Sequence, residues 1–191
     1  MKIRKFFQNK NNNYVYVIAE ACDNHFGKID NAVKMIFESK KAGADAIKFQ
    51  HHLPDEEMLR KVPKSSNFDL NLYEFLKKNA LKIKDHIKLK KICDNVGIQY
   101  LCTPFSLKAA IELNNNIKID AFKIGSGEMA DFPFLEKVLE LKKPMIVSTG
   151  MSTRYEIQET YKILKNCSNL VFMNCLSEYP PDYRDLNLGY I

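Results

Sequence analysis

The fold is decided by one stretch, Ala121-Phe122-Lys123-Ile124-Gly125-Ser126-Gly127-Glu128. Its first half is apolar and predicts a short buried strand over residues 121–124, while its second half is a polar, glycine-rich corner. A lysine inside an apolar strand is costly unless an anionic group meets it. The two glycines let backbone amides approach a ligand beside a hydroxyl and a carboxylate. The stretch therefore predicts an anion site at a strand end, with a core ion pair for Lys123 and an ordinary turn as the alternative.

The same arrangement of apolar strand and polar corner recurs along the chain, separated by helical patterns. We predict six strands, over residues 14–21, 46–50, 98–102, 121–124, 145–148 and 170–174. Amphipathic patterns predict the intervening helices, over residues 29–41, 72–96 with a break near 81, 106–113, 134–141 and 153–164. Apolar strands that alternate with helices indicate a parallel sheet covered on both faces.

Polar residues at the strand ends favour a closed barrel over a doubly wound open sheet. An open sheet gathers its site at one switch point, whereas a TIM barrel takes site residues from the C-terminal ends of many strands. In this sequence, each of the six predicted strands has such polar residues on it or just after it. In chain order they are Glu20; Lys48 and Gln50; Thr103; Lys123, Ser126 and Glu128; Ser148 and Thr149; and Asn174, Ser177 and Tyr179. We therefore predict an α/β fold of the TIM (β/α)8 type.

The length of the chain sets a limit on that prediction. A TIM barrel needs eight strands and about 250 residues, and the 191 residues here carry only six predicted strands. The barrel is therefore expected to be truncated after about its sixth strand. The predicted organisation is an N-terminal lead-in over residues 1–13, loose or a hairpin, followed by a partial barrel over residues 14–191.

Composition narrows the class of protein. The chain is 46% hydrophobic with a net charge of +6, which fits one globular domain. Its lysines are scattered over helices, and no interleaved aromatic and basic pattern indicates nucleic-acid binding. No apolar run has the length of a membrane span, and the N-terminus lacks the apolar core of a signal peptide. Five cysteines without CxxC spacing indicate reduced thiols and a cytoplasmic protein.

The histidines allow a metal site to be imagined from Asp23, His25 and His51. The spacing is not diagnostic, and the adjacent His51 and His52 on an extended segment are expected to point to opposite sides. Hydrogen bonding within the loops is the favoured interpretation. His86, on a predicted helix, is expected at the surface.

Ordered motifs along the chain resemble those of the sialic acid synthase family. They are Ile18-Ala19-Glu20 with Asn24-His25-Phe26-Gly27, the run Ala42 to Gln50, Thr103-Pro104-Phe105-Ser106, the run Phe122 to Glu128, the run Lys143 to Met151, and Asn174-Cys175 with Tyr179-Pro180. The resemblance runs from about residue 14 to the last residue, and so many motifs in one order make chance agreement improbable.

The resemblance implies a TIM barrel that condenses phosphoenolpyruvate with N-acetylmannosamine, or a related N-acetylated sugar, to a nonulosonic acid and phosphate. The groups implied to hold phosphoenolpyruvate are Lys48, Lys123, Ser126 and Ser148. The groups implied on the acceptor-sugar and proton-handling side are Glu20, Gln50, Thr103, Glu128 and Tyr179. Of these, Glu20 and Glu128 are the expected catalytic carboxylates, with Glu128 managing the attacking water.

The resemblance also implies a divalent metal, manganese or magnesium, and a homodimer. The metal ligands of the family are two histidines after its seventh and eighth strands, beyond Ile191, and its C-terminal antifreeze-like domain, which reaches into the partner subunit's site, is absent here as well. We therefore expect a phosphoenolpyruvate-binding partial barrel with little or no synthase activity of its own. Ala21-Cys22-Asp23 stands where the family usually has Ile-Gly-Ile or Ile-Gly-Val, so the pocket floor is expected to suit a different sugar.

Three alternatives remain open at this stage. Another phosphoenolpyruvate-dependent sugar-acid synthase on the same barrel would prefer a phosphorylated acceptor. A Schiff-base aldolase would use Lys123 as its nucleophile. A non-catalytic phosphoenolpyruvate-binding fragment would pair with a second chain and would expose an apolar edge on the sixth strand.

Overall fold

The computed structural model of the chain describes residue 3, residues 14–64 and residues 69–191. Except for Ile3, the lead-in predicted over residues 1–13 lies outside the described residues. The chain divides into two compact units, Met1–Asp120 and Ala121–Ile191, and each is described by itself. In the described residues, no helix is both long enough and apolar enough to cross a membrane.

The first unit is built from three parallel strands and the helices that follow them. Its elements in chain order are β1 Ile18–Glu20, α1 Ile29–Lys41, β2 Ala46–His51, α2 Pro54–Glu57, α3 Leu72–Asn79, α4 Ile83–Val96, β3 Gln99–Pro104 and α5 Leu107–Ile117. The central strand is β2, which pairs with β1 on one side and with β3 on the other.

Local capping explains where the helices of this unit begin and end. The break predicted near residue 81 is confirmed, because α3 and α4 are separate helices. Asn71 caps α3 by accepting a hydrogen bond from Glu74 N, and Gly97 ends α4 in the left-handed conformation that glycine favours. Ser106 caps α5, as predicted, by accepting from Ala109 N at 3.2 Å.

The first strand is shorter than predicted. It spans Ile18–Glu20, whereas the sequence predicts a strand from residue 14. The reason is that Asp45 binds the segment ahead of it: its carboxylate accepts from Val17 N at 2.8 Å and from the Tyr14 hydroxyl. The Val17 amide is therefore bound by a side chain, while the Val17 carbonyl still accepts from Asp45 N at 2.9 Å.

The core of the first unit lies on the strands and on one face of each helix. Phe49 and Tyr100 are fully buried, and their rings stack with centroids 5.7 Å apart. The expectation that His86 lies at the surface is wrong, since its side chain is buried on the same face of α4 as Leu89 and Cys93. Its Nδ1 lies 2.7 Å from the Tyr100 hydroxyl, and this hydrogen bond offsets the cost of burying a polar ring.

Burial disfavours the protonated form of three histidines in this unit. Burial lowers the pKa of His25 to about 4, and burial lowers the pKa values of His51 and His86 as well. At His25 the geometry agrees, because Nδ1 accepts a hydrogen bond from Gly27 N at 3.0 Å and a proton on Nδ1 would break it.

We expect the free energy of unfolding to fall as the pH drops from about 6.5 towards 4. The folded pKa values lie below the unfolded value, so the unfolded chain binds more protons in this window, and each such histidine contributes a slope of about 1.4 kcal/mol per pH unit. The measurement is denaturant unfolding at a series of pH values. In His25→Asn, Oδ1 can replace Nδ1 as the acceptor. The slope of this variant should be smaller by about 1.4 kcal/mol per pH unit, the contribution of one proton. An unchanged slope would contradict this account.

The second unit repeats the same strand and helix alternation. Its elements are β4 Phe122–Ile124, α6 Phe132–Leu139, β5 Met145–Ser148, α7 Arg154–Leu164, β6 Leu170–Met173 and two short 3-10 helices, η1 Tyr183–Asp185 and η2 Leu188–Tyr190. The strands are parallel, and β5 lies between β4 and β6.

Helix starts in this unit also follow local capping. The predicted capping box is confirmed: Thr153 Oγ1 accepts from Glu156 N at 3.2 Å, and the Glu156 carboxylate accepts from Thr153 N at 2.7 Å. Helix α6 begins two residues before the predicted start, because Asp131 caps it by accepting from Phe134 N at 3.1 Å. All six predicted strands are therefore present, three in each unit.

Candidate functional site

The C-terminal ends of β1, β2 and β3 bring three of the predicted site residues together. Strand pairing sets Glu20 opposite Lys48. Lys48 is 6% exposed, forms an ion pair with the Glu20 carboxylate and lies 3.3 Å, Nζ to Oγ1, from Thr103. Because the Glu20 side chain is half-exposed, the buried ammonium has an anionic partner on the solvent side. The arrangement can bind an anion that approaches this end of the sheet.

Gln50 lies two residues beyond Lys48, on the same face of β2. Its Oε1 lies 3.3 Å from Cys22 Sγ and 3.1 Å from His52 Nε2. Burial raises the pKa of Cys22, so this thiol is protonated and able to donate. The predicted site residue is therefore held by two side chains for which the sequence analysis proposes no such role.

His52 belongs to a small buried network that the sequence analysis missed. Its Nδ1 lies 2.9 Å from Glu57 Oε1, its Nε2 lies 3.5 Å from Asp23 Oδ2, and its ring stacks on Phe105 with centroids 4.2 Å apart. Burial raises the pKa of Asp23, and the neighbouring His52 opposes that rise. Residues 48 and 50 share one face of β2, and extending that alternation by one residue beyond the strand is the signal that could have found His52.

The imagined metal set of Asp23, His25 and His51 is not assembled. His51 Nε2 bonds to Glu112 Oε2 at 2.9 Å, whereas His52 bonds to Glu57, which confirms that the adjacent histidines point to opposite sides. His25 Nε2 lies 3.8 Å from Asp23 Oδ1, and His51 does not join this pair. Within residues 14–64 and 69–191, no group of three or more His, Cys, Asp and Glu side chains is arranged to hold a metal ion.

The second unit has its own cluster of hydroxyl groups at the ends of its strands. Gly150 N donates to Ser126 Oγ at 3.1 Å. Ser148, at the end of β5, is buried, and its Oγ accepts from Cys175 Sγ at 3.3 Å. A Cβ on Gly150 would lie 2.2 Å from Ser177 Oγ and 2.8 Å from Ser126 Oγ. The absence of a side chain at Gly150 is therefore what lets the two serines converge there.

The other predicted residues of this unit lie in different surroundings. Lys123 is half-buried between the buried Phe122 and Ile124, and Glu128 is also half-buried after the corner that follows β4. Tyr179 follows β6 and is 92% exposed, so its side chain is not brought to the serine cluster. The roles of these three residues stay predictions. All five cysteines are free thiols.

Fold and site together define an α/β protein of TIM-barrel type with cationic and hydroxyl groups at its strand ends. The sequence model of the NeuB family matches residues 35–191. The chain is 36% identical over 182 residues to pseudaminic acid synthase of Campylobacter jejuni, covering 91% of this chain and 53% of that protein. It is 32% identical over 185 residues to N,N'-diacetyllegionaminic acid synthase of Legionella pneumophila, covering 91% and 52%. The chain belongs to the NeuB family.

A solved structure supports the same conclusion about the fold. The N-acetylneuraminic acid (sialic acid) synthetase of Leptospira borgpetersenii, in complex with citrate, superposes with a TM-score of 0.82 at 29% identity, over 94% of this chain and 60% of that chain. This confirms the prediction of a TIM-type barrel of which six strands are present. The chain spans about half the length of the curated relatives it matches.

Proposed function

We propose that the protein to which this chain belongs condenses phosphoenolpyruvate with N-acetylmannosamine, or a related N-acetylated sugar, to a sialic-acid-type nonulosonic acid and phosphate. The observation that carries the proposal is the buried Lys48 ammonium on β2, which lies between Glu20 and Thr103 in a member of the NeuB family. Relatives named as pseudaminic and legionaminic acid synthases support the class of product.

The proposed reaction makes one C–C bond and breaks one C–O bond. The enol carbon C3 of phosphoenolpyruvate attacks the aldehyde carbon of the open-chain sugar, and the aldehyde oxygen takes up a proton. Water adds to C2 and loses one proton; phosphate then leaves with the oxygen that joined it to C2, taking the remaining hydroxyl proton, and C2 becomes a keto carbon. Charge therefore develops at the aldehyde oxygen and at C2, and preorganised cations and hydrogen-bond donors lower the barrier.

The residues of the chain are proposed to divide this work. Lys48, Lys123, Ser126 and Ser148 hold the phosphate and carboxylate of phosphoenolpyruvate, for which an ammonium and hydroxyl groups are suited. Glu128 receives the proton of the attacking water, while Glu20, Gln50, Thr103 and Tyr179 serve the acceptor sugar. Glu20 is already paired with Lys48, so sugar binding and anion binding are adjacent at β1 and β2.

A divalent metal, manganese or magnesium, and a homodimer also belong to this proposal. When bound, such a metal would polarise the aldehyde as a Lewis acid. The described residues do not fit it, because Asp23, His25, His51 and His52 are engaged in the pairs described above and form no set of three ligands. No step is therefore assigned to the metal through this chain.

The position of bond cleavage tests the proposed function. We expect phosphoenolpyruvate labelled with 18O at the oxygen joining C2 to phosphorus to yield labelled inorganic phosphate when the full protein, manganese and N-acetylmannosamine are present. Mass spectrometry of the phosphate and of the nonulosonic acid is the measurement, and a reaction without acceptor sugar is the control. Unlabelled phosphate would mean P–O cleavage and would contradict the proposal.

Comparison of acceptors separates the proposed function from the other synthase class. N-acetylmannosamine and further N-acetylated hexoses are to be assayed beside phosphorylated sugars that lack an N-acetyl group. We expect turnover to require the N-acetyl group. Turnover only with the phosphorylated sugars would favour the alternative sugar-acid synthase.

A further inference from the structure

The buried ammonium that the proposed reaction assigns to phosphoenolpyruvate is already engaged within the protein. An ammonium group has three N–H donors and no acceptor. That of Lys48 pairs with Oε2 of the Glu20 carboxylate and donates to Thr103 Oγ1 at 3.3 Å. Because the Lys48 side chain is buried, the ammonium offers little further surface to an incoming anion. A carboxylate of the chain itself therefore stands where a substrate anion is proposed to bind.

The two contacts of this ammonium differ in how easily they can be exchanged. Thr103 is buried on β3, which pairs with β2 along the strand that carries Lys48, so the packing of two strands fixes this contact. Glu20 is the last residue of β1, and its side chain is 49% exposed. Its carboxylate can therefore move into water without becoming a buried, unpaired charge. Ion pairs with an exposed partner contribute little to stability, so an anion can replace Glu20 at low cost.

The second oxygen of the Glu20 carboxylate is held by the loop that follows β1. Glu20 Oε1 accepts a hydrogen bond from Cys22 N at 3.0 Å. The φ angle of Cys22 is 47°, in the left-handed region that few residues other than glycine adopt. In this conformation the Cys22 amide faces the side chain two residues before it. Oε1 is thus anchored on its own loop, and Oε2 can change its partner while this anchor is kept.

We propose that Glu20 is an internal competitor for Lys48, which phosphoenolpyruvate displaces and which then binds the acceptor sugar through Oε2. An anionic oxygen of phosphoenolpyruvate takes the place of Oε2 at the ammonium, and the released Oε2 accepts a hydrogen bond from a sugar hydroxyl. The two substrates therefore favour each other's binding. The identity of these ligands rests on the proposed function, whereas the competition applies to any small anion that reaches Lys48.

The sign of the effect separates a competitor from a structural support. While Glu20 pairs with Lys48, its negative charge offsets that of the ammonium and repels an anion that approaches from the solvent. Removal of this charge should therefore strengthen the binding of phosphoenolpyruvate. If Glu20 served instead to hold the ammonium in place for the substrate, the same change would weaken that binding.

The first test measures the dissociation constant of phosphoenolpyruvate by calorimetry on the full protein, without acceptor sugar. We expect Glu20→Gln to bind phosphoenolpyruvate about three- to tenfold more tightly than the unaltered protein, the effect of removing one competing ion pair. Glu56→Gln is the matched control, because Glu56 also pairs with a lysine, Lys108, and its side chain is 44% exposed. This control should leave the dissociation constant unchanged.

Every other outcome of this measurement overturns the proposal. Equal or weaker binding by Glu20→Gln would mean that Glu20 does not compete for Lys48. Equal gains in Glu20→Gln and Glu56→Gln would show an effect of net charge alone. Inorganic phosphate is the second probe, and if neither anion binds to the unaltered protein or to Glu20→Gln, there is no competition at Lys48.

The second test measures the coupling between the two substrates. The open-chain alcohol obtained by reducing N-acetylmannosamine has no aldehyde, so it can bind beside phosphoenolpyruvate without reacting. We expect saturating phosphoenolpyruvate to tighten the binding of this alcohol about three- to tenfold in the unaltered protein, and the alcohol to tighten phosphoenolpyruvate binding by the same factor. In Glu20→Gln the coupling should disappear, and an equal coupling in both proteins would contradict the proposed exchange of partners.

The measurements also keep this inference apart from the proposed function. If the full protein gives no product from phosphoenolpyruvate and any N-acetylated sugar, the proposed function fails, while the dissociation constants of the two anions still decide whether Glu20 competes for Lys48. If the protein turns over but Glu20→Gln binds phosphoenolpyruvate no more tightly, the function stands and the competitor role falls.

Discussion

Replacing Lys48 with methionine is expected to lower phosphoenolpyruvate-dependent turnover by about 100- to 1000-fold, the usual effect of removing one preorganised charge-stabilising group. Methionine has a similar length and is apolar, so it can fill the buried position that the lysine stem now occupies, where Lys48 is 6% exposed. The ammonium, its bond to Thr103 and its attraction for the substrate anion are lost together. The measurement is kcat/KM for phosphoenolpyruvate at saturating acceptor.

The fold should survive this substitution. Glu20, the ionic partner of Lys48, is half-exposed and also accepts from Cys22 N at 3.0 Å, so it is not left as a buried, unpaired charge. Lys108→Met is the matched control: it removes the same charge in the same unit, but its ion pair with Glu56 is exposed at 2.9 Å, and we expect turnover to be unchanged. A folded Lys48→Met protein that retains more than about a tenth of the turnover has lost only about 1.4 kcal/mol of transition-state stabilisation. Such a result would contradict the proposed role of Lys48 in the site.

Gly150→Ala is expected to have the second largest effect, a loss of about 100-fold in turnover, of the size caused by misplacing a positioned group by about 1 Å. The new methyl group would overlap Ser177 Oγ and Ser126 Oγ, at 2.2 and 2.8 Å. Serine side chains can rotate away, so the chain should still fold. Ser126 would then lose its hydrogen bond from Gly150 N and leave the position in which it is proposed to bind phosphoenolpyruvate.

The control for this substitution is Gly189→Ala, since a Cβ at Gly189 would meet no atom within 4 Å. We expect the control to match the unaltered protein in thermal unfolding and in turnover. A further variant, Gly150→Ala with Ser177→Gly, removes the closer of the two clashes and should recover part of the loss. Equal turnover of Gly150→Ala and the unaltered protein would show that the Ser126 position is not needed for the reaction.

Helix positions followed from the sequence wherever a local interaction sets them. The starts of α5 and α7 are marked by Ser106 and Thr153, whose side chains bond to backbone amides three residues ahead. Such contacts are made within one turn, so the residues that make them stand together in the sequence. The predicted start of α6 at residue 134 is two residues late, because Asp131 caps the helix and Phe132 begins it.

Contacts between residues that are far apart in the sequence are harder to predict from it. The prediction that His86 lies at the surface is wrong, although its spacing from Leu89 and Cys93 is that of one helical face and indicates burial. The contact of His51 with Glu112 joins residues 61 positions apart, and the sequence around neither residue predicts it. The link from Glu57 through His52 to Gln50 likewise depends on where α2 returns to the end of β2.

The sequence by itself determined the α/β alternation, the parallel strands and the family, and it named the polar residues at the strand ends, because periodicity, capping and motif order are properties of neighbouring residues. Tertiary structure was needed to show that Lys48 is paired with Glu20 and Thr103, that Gly150 leaves room for two serines, and that His52 lies between Glu57 and Gln50. The direction of a buried hydrogen bond depends on the donors and acceptors that packing brings within about 3 Å, and those come from different strands and loops.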